Sequence, residues 1–269
     1  FHFVGEHIML YFTVRGSNDY TPAMEVPNLP VAIVKTDVWD FGAEQLDDVL
    51  YNNKLTESVF NLFYTYVDPQ VPREAGRNIL SFTAGDLGYV SNGTSDRLRT
   101  INLNLTRWDQ NIASSTNFTG RLYVNSGANT GRYLTLNLNE DDEVTIEGRT
   151  DAGGTFNFEY ALDPVAQTDQ VAVPAAETTI KFVAKQAGEY HVFDTSGKPS
   201  YFRVIRTPAT YVSVKGDVDT SLAENIPPGY TLVFTNEAGK SWETSATGGK
   251  YLIELPAGYS YEMSVNNAN

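Results

Sequence analysis

Short runs in which apolar and polar residues alternate, broken every few positions by Gly, Asn, Asp or Pro, constrain this sequence more than any other feature. A chain whose every second side chain is apolar has one face to bury and one to leave wet, which is the arrangement of antiparallel strands. Such runs lie at Ile8 to Val14, Arg97 to Leu105, Arg132 to Leu138, Val144 to Ile146, Phe156 to Tyr160, Ile180 to Val183, Tyr190 to Phe193 and Ser200 to Ile205. Their number predicts an all-β protein of the sandwich class. One segment departs from the rule. Ala43 to Leu50 and Thr56 to Tyr66 lack the alternation, and Leu55, Val59, Leu62, Phe63 and Tyr66 recur at helical spacing. One or two short helices are predicted there, covering a sheet edge that would otherwise stay open.

A boundary is expected at Arg206, where the chain reads Thr207-Pro208-Ala209-Thr210 and a compact series of strands and turns follows. In that series Tyr211 to Val218, Tyr230 to Thr235, Ser241 to Ala246, Lys250 to Glu254 and Tyr259 to Val265 read as strands, and Pro227-Pro228-Gly229 and Asn236 to Gly239 as turns. Residues 1–207 and 208–269 are thus expected to form a large and a small sandwich, with residues 1–34 either a leader or a first strand. The chain opens on Phe1 without the charge and apolar length of a signal peptide, and is read as a piece of a longer protein. No apolar run reaches the length of about 18 residues needed for a membrane-spanning helix.

The net charge of −14 argues against nucleic acid, whose binding relies on basic groups that displace phosphate counterions. Residues 97–132 reverse that balance, carrying Arg97, Arg99, Arg107, Arg121 and Arg132 against the single acid Asp109. The absence of cysteine excludes disulfides, thiolate metal sites and cysteine nucleophiles. His2, His7 and His191 form no spacing that suggests a metal trio or a nucleophile with its base. Thr247-Gly248-Gly249-Lys250 lacks the upstream glycine of a phosphate loop. No catalytic residue is assigned.

Several motifs carry resemblances. Val214-Lys215-Gly216-Asp217-Val218, Leu232 to Asn236, Gly249-Lys250-Tyr251 and Leu255 to Tyr259 make the last part of the chain similar to carboxypeptidase-regulatory-like and Cna-B-type small sandwiches. Those families imply an Ig-like or prealbumin-like spacer. They also suggest an isopeptide bond from Lys215 to Asn266 or Asn267, which alternation opposes by leaving Lys215 outside. Val38 to Thr56, Asp96 to Thr100, Gly131 to Leu138 and Ala187 to Arg206 make the larger part resemble the noncatalytic regions beside pectate lyases and related secreted bacterial polysaccharidases. That resemblance implies a jelly-roll sandwich, an extracellular location with or without surface attachment, a catalytic domain in the same parent chain, and a plant cell-wall glycan such as homogalacturonan as partner.

The residues support a glycan ligand in their own terms. Thr100, Asn102, Asn104, Thr106 and Trp108 alternate with Ile101, Leu103 and Leu105, as Tyr133, Thr135, Asn137 and Asn139 do with Leu134, Leu136 and Leu138. Faces of amides, hydroxyls and aromatics suit sugars, whose C–H faces stack on rings while their hydroxyls bond to amides. Guanidinium groups add paired bonds to uronate carboxylates. Trp108, Arg97, Arg99, Arg107, Arg132, Asn102, Asn104 and Tyr133 are the candidate ligand-binding residues, and Trp39 is assigned to the core. Asp141 and Asp142, in the acidic turn Asn139 to Glu143, are candidate ligands for a structural calcium ion, a solvated turn being the alternative. The sequons at Asn92, Asn104 and Asn117 are expected by chance in a chain so rich in Asn and Thr. The leading functional expectation is a noncatalytic carbohydrate-binding accessory region. A structural or adhesive surface segment and a polysaccharide lyase stay open as alternatives.

Overall fold

The computed structural model describes residues 35–59, 79, 81–91, 96–101, 117–125, 131–164, 168–219 and 230–266, together with the strand backbones of residues 2–4, 7–13 and 24–26. The chain is all-β. Its first strands are β1 (His2–Val4), β2 (His7–Thr13) and β3 (Met24–Val26). The middle of the chain supplies β4 (Thr36–Asp40), β5 (Tyr51–Asn53), β6 (Phe82–Ala84), β7 (Leu87–Val90), β8 (Arg97–Thr100), β9 (Gly120–Tyr123), β10 (Tyr133–Leu138) and β11 (Glu143–Thr150). It continues with β12 (Gly154–Tyr160), β13 (Thr168–Val173), β14 (Thr178–Val183), β15 (Gly188–Asp194) and β16 (Pro199–Thr207). The last strands are β17 (Tyr211–Asp219), β18 (Tyr230–Asn236), β19 (Ser241–Ala246), β20 (Lys250–Pro256) and β21 (Tyr261–Asn266).

Val34–Pro208 form one compact unit, and Phe1–Ile33 join Ala209–Asn269 in another. The division falls beside Pro208, and the N-terminal strands lie with the smaller unit. There β2 pairs parallel with β17, and β3 pairs antiparallel with β21. The small unit thus has two sheets, ordered β1-β2-β17-β20 and β19-β18-β21-β3. Its core holds Val214, Leu232, Phe234, Tyr251, Leu255, Tyr261 and Met263, the inward positions of their strands. Lys215 is exposed, as alternation requires.

The larger unit is a sandwich of a six-stranded sheet, β13-β12-β15-β10-β7-β6, and a second sheet, β14-β11-β16-β4-β5. Between them the alternate apolar residues of each strand interlock, with Phe158 stacked on Phe182 at 4.7 Å and on Tyr190 at 4.5 Å. Trp39 is 0% exposed, and its indole N–H donates to Ala84 O at 2.7 Å, which satisfies the one polar atom that its burial would strand.

The second sheet has an unusual edge. One side of β16 pairs with β11 throughout, whereas the other side takes β4 at Arg203 to Arg206 and β9 at Ser200 and Tyr201. The end of β4 and the start of β9 therefore meet end to end, and glycines make the junction possible. A Cβ on Gly120 would lie 2.5 Å from Gly42 Cα, 2.5 Å from Phe41 O and 2.8 Å from Arg99 O. All three are backbone atoms, which cannot swing aside as a side chain does.

The helix expected over Ala43 to Leu50 does not form. Asp40 Oδ1 accepts from the N–H groups of Gly42 and Glu44, at 2.8 and 3.3 Å, and Asn53 bonds both to Leu46 N and to Leu46 O, at 3.0 Å each. Those side chains occupy the backbone groups that a helix would pair, so the segment runs as turns into β5, which lies parallel to β4. Residues 57–59 do form a helical turn. The remainder of the second expected helix, residues 60–66, lies outside the described residues.

Gly120→Ala is expected to destabilise the larger unit by about 1–3 kcal/mol through overpacking against immobile backbone. Chemical denaturation would show a lowered midpoint at unchanged slope.

Candidate functional site

The arginine-rich stretch does not act as one patch. In β8, Leu98 and Thr100 face inward, so Arg97 and Arg99 face out. This corrects two expectations: Thr100 is 0% exposed and bonds to Thr119 O at 3.2 Å, while Ile101 is 52% exposed because the strand has ended. Opposite β8, the alternation of β9 places Arg121 and Tyr123 on the same outer face, with Leu122 buried between them.

Register then builds a row across four strands. Arg97 lies opposite Tyr123, Tyr123 opposite Ser200, and Ser200 opposite Arg149. Arg99 and Arg121 form a second pair beside it. At a strand spacing of ~4.8 Å the row is about 14 Å long. Tyr123 sits within the cluster, its ring centroid 5.1 Å from the Arg99 guanidinium carbon and 4.8 Å from that of Arg121. Its hydroxyl lies 3.1 Å from Asn125 Oδ1 and 3.3 Å from Asp151 Oδ2. Burial, then the Asp151 charge and hydrogen bond, push its pKa up, so the phenol stays a neutral donor.

Arg121 is only 5% exposed, and one of its terminal nitrogens donates to Ser200 Oγ at 3.0 Å. Burial first, and then the Arg99 charge, lower its pKa; Arg149 pushes the same way, while Asp151 and Tyr123 oppose. The Nε atoms of Arg97 and Arg121 are buried with no hydrogen-bond partner among the described residues. This concentration of guanidinium around one aromatic ring is the candidate site.

Of the residues expected to bind ligand, Arg97 and Arg99 lie here. Trp108, Arg107, Asn102 and Asn104 fall outside the described residues. Arg132 is elsewhere: it is buried, with its Nε 3.4 Å from Asp96 Oδ2. That carboxylate is 0% exposed and accepts from Tyr89 Oη at 2.9 Å, Ser91 Oγ at 3.2 Å and Asn125 N at 3.2 Å. Arg132 is thus the counter-charge of a core carboxylate. Tyr133 is on the outer face of the other sheet, its ring 4.3 Å from that of His191, whose Nε2 is 3.0 Å from Glu189 Oε1. Arg97 and Arg99 therefore lie on the outer face of one sheet and Tyr133 on the outer face of the other. Arg121, Tyr123 and Arg149 complete the arginine face. Alternation around Leu122 could have singled out the first two, but Arg149 depends on the pairing of β11 with β16, which no local pattern reveals.

Asp141 and Asp142, the expected calcium ligands, lie in a tight turn. Asp142 Oδ2 accepts from Asn139 N at 2.9 Å, and Asp141 takes a φ of 67° while its N–H donates to Ala184 O at 2.7 Å, so both residues close the turn between β10 and β11. Among the described residues no three carboxylate or histidine groups converge.

Beside the site, the acids of β4 hold the arginines of β16. Arg203 pairs with Asp40 at 2.8 Å and Glu147 at 3.1 Å, and Arg206 with Asp37 and with Asp86 at 2.8 Å. Burial acts to raise the Asp37 pKa, but hydrogen bonds from Lys54, Arg206 and Asn52 outweigh it and hold the carboxyl below its ordinary value. Its contribution to stability is therefore present above the ordinary Asp range and lost as pH falls through the lowered value. The stability difference between wild type and Asp37→Asn should shrink as pH falls from about 5 to about 2 in denaturant titrations. Arg132→Ala should cost about 3 kcal/mol, because it leaves Asp96 buried without its cation. The loss would appear in thermal or denaturant unfolding.

No family model matches the sequence, and no curated protein matches it. Among solved structures, the carbohydrate-binding module CBM6cm-2 from Cellvibrio mixtus lichenase 5A, in complex with cellotriose, is 17% identical over 48% of this chain and 98% of that one, at a TM-score of 0.25. The Endo-D glycoside hydrolase domain of Streptococcus pneumoniae R6 is 9% identical over 51% of this chain and 30% of that one, at 0.20. HutD from Pseudomonas fluorescens SBW25 is 8% identical over 72% of this chain and 96% of that one, at 0.18. Overlaps this low say nothing of ligand or activity.

Proposed function

We propose that the larger sandwich is a noncatalytic carbohydrate-binding unit that holds a polysaccharide chain across the outer face of β8, β9, β16 and β11. The carrying observation is the row Arg97, Tyr123, Ser200, Arg149 with Arg99 and Arg121 beside it. A tyrosine ring offers a sugar a face to pack against, and guanidinium groups on both sides offer donors to hydroxyls and carboxylates. The favoured ligand is plant cell-wall polysaccharide of the pectin type, with homogalacturonan first. The protein's charge of −14 would repel such a polyanion at long range, but repulsion is screened beyond about 8 Å at physiological salt, so the local face decides contact.

In this reading the unit acts by proximity. Holding an extracellular polysaccharide-degrading domain of the same parent chain against its substrate raises the effective concentration of the two without lowering a chemical barrier. The smaller unit serves as a spacer.

Native affinity electrophoresis through gels containing homogalacturonan, methylated pectin, xylan, mannan or β-glucan tests this. Retardation by homogalacturonan is expected, and Tyr123→Ala combined with Arg97→Ala should abolish it while far-ultraviolet circular dichroism stays as in wild type. Unretarded migration in every gel would overturn the reading.

A further inference from the structure

The arginines of the larger unit are not used alike. Arg132, Arg203 and Arg206 each lie against at least one carboxylate. Arg97 and Arg121 form no ion pair among the described residues, in a chain with 33 acidic residues against 19 basic ones. Among the described residues, an arginine that forms no ion pair and is buried as deeply as Arg121 marks a place short of counter-charge. The positive charges of Arg99 and Arg149 make that place less favourable for Arg121 until an anion arrives.

Among the described residues the carboxylate that acts on Arg121 is Asp151, and it faces the Tyr123 hydroxyl rather than forming an ion pair with Arg121. Ser200 occupies one terminal nitrogen of Arg121. A neutral hydroxyl can accept a bond from such a group but cannot offset its charge; a carboxylate or sulfate oxygen does both.

We infer that this face reads one full negative charge on the sugar, with Arg121 and Arg97 as the anchoring residues, and that esterification of that group switches binding off. The inference rests on the glycan-binding reading and deepens it by naming the chemical class: a pyranose bearing an unesterified carboxylate or a sulfate ester. Loss of a bond between an arginine and a charged group corresponds to a drop of roughly 10- to 100-fold in affinity.

Isothermal titration calorimetry on the full chain tests it with four oligosaccharides of equal length: oligogalacturonate, its methyl ester, a sulfated galactan fragment and a cello-oligosaccharide. The free acid should bind, and the methyl ester should bind roughly 10- to 100-fold more weakly. Binding of the sulfated galactan as well supports a general anion site, and its binding in place of the free acid assigns the anion as sulfate. Arg121→Gln should bring free acid and ester to similar, weak affinities. Since Arg121 neutralises no buried carboxylate, that variant orphans no charge and should fold. Arg97→Gln provides a second variant with the same expected loss of discrimination. Equal affinity of wild type for acid, ester and cello-oligosaccharide would overturn the inference while leaving glycan binding intact; no binding of any of the four would overturn both.

Discussion

The close approach of Gly42 to Gly120 sets the geometry of the larger unit. Two strands far apart in sequence share one edge of β16, and they can do so because neither glycine carries a side chain at the junction. From that junction β9 runs along β16 at Ser200 and Tyr201, and β8 is laid against β9 in turn. Arg97, Arg99, Arg121 and Tyr123 all lie on these two short strands. A contact between backbones, with no chemistry of its own, thus determines where the guanidinium groups project.

Beyond that junction, the distribution of acids decides which arginines are structural. Asp37 and Asp40 project from β4 toward Arg206 and Arg203, and Asp96 is buried against Arg132. Such partly or fully desolvated pairs stabilise less than their number suggests, because each group gives up hydration to form them. Their larger effect is to fix arginine side chains in place. The cluster around Tyr123 has the opposite character: like charges brought together around a phenol, with the Ser200 hydroxyl bonded to Arg121 and the Asp151 carboxylate bonded to the phenol.

Much of the fold was legible because period-two alternation is a local property. Leu134, Leu136 and Leu138 are buried as read, Trp39 is core, and the strands of the small unit fall close to their expected limits. What failed depended on side-chain bonds and strand pairings that alternation does not encode. The Ala43 to Leu50 segment lost its helix to side chains of Asp40 and Asn53, and β2 and β3 joined strands at the far end of the chain. Likewise the charge count of residues 97–132 identified a basic region but not which of its arginines would stand together. Alternation tells which side of a strand a residue faces, and it leaves open which of two sheets that strand joins. Arg132 and Tyr133, adjacent in sequence, went one to a core ion pair and the other to the opposite outer face.

The pairing of β2 with β17 bears on how the protein is made. Ile8 finds its partner at Val214, about 200 positions later in the chain. At translation rates of about 5–20 residues per second, β2 waits roughly 10–40 s before that partner emerges, while the whole larger sandwich is being synthesised between them. During that interval the run His-Ile-Met-Leu-Tyr-Phe-Thr has β1 on one edge and nothing yet on the other, and as a proline-free segment rich in strand-forming apolar residues it is the kind that pairs with its own copies on neighbouring chains. The larger sandwich can begin to fold in that time, whereas the small unit is completed last, so its yield depends on keeping nascent chains apart from one another.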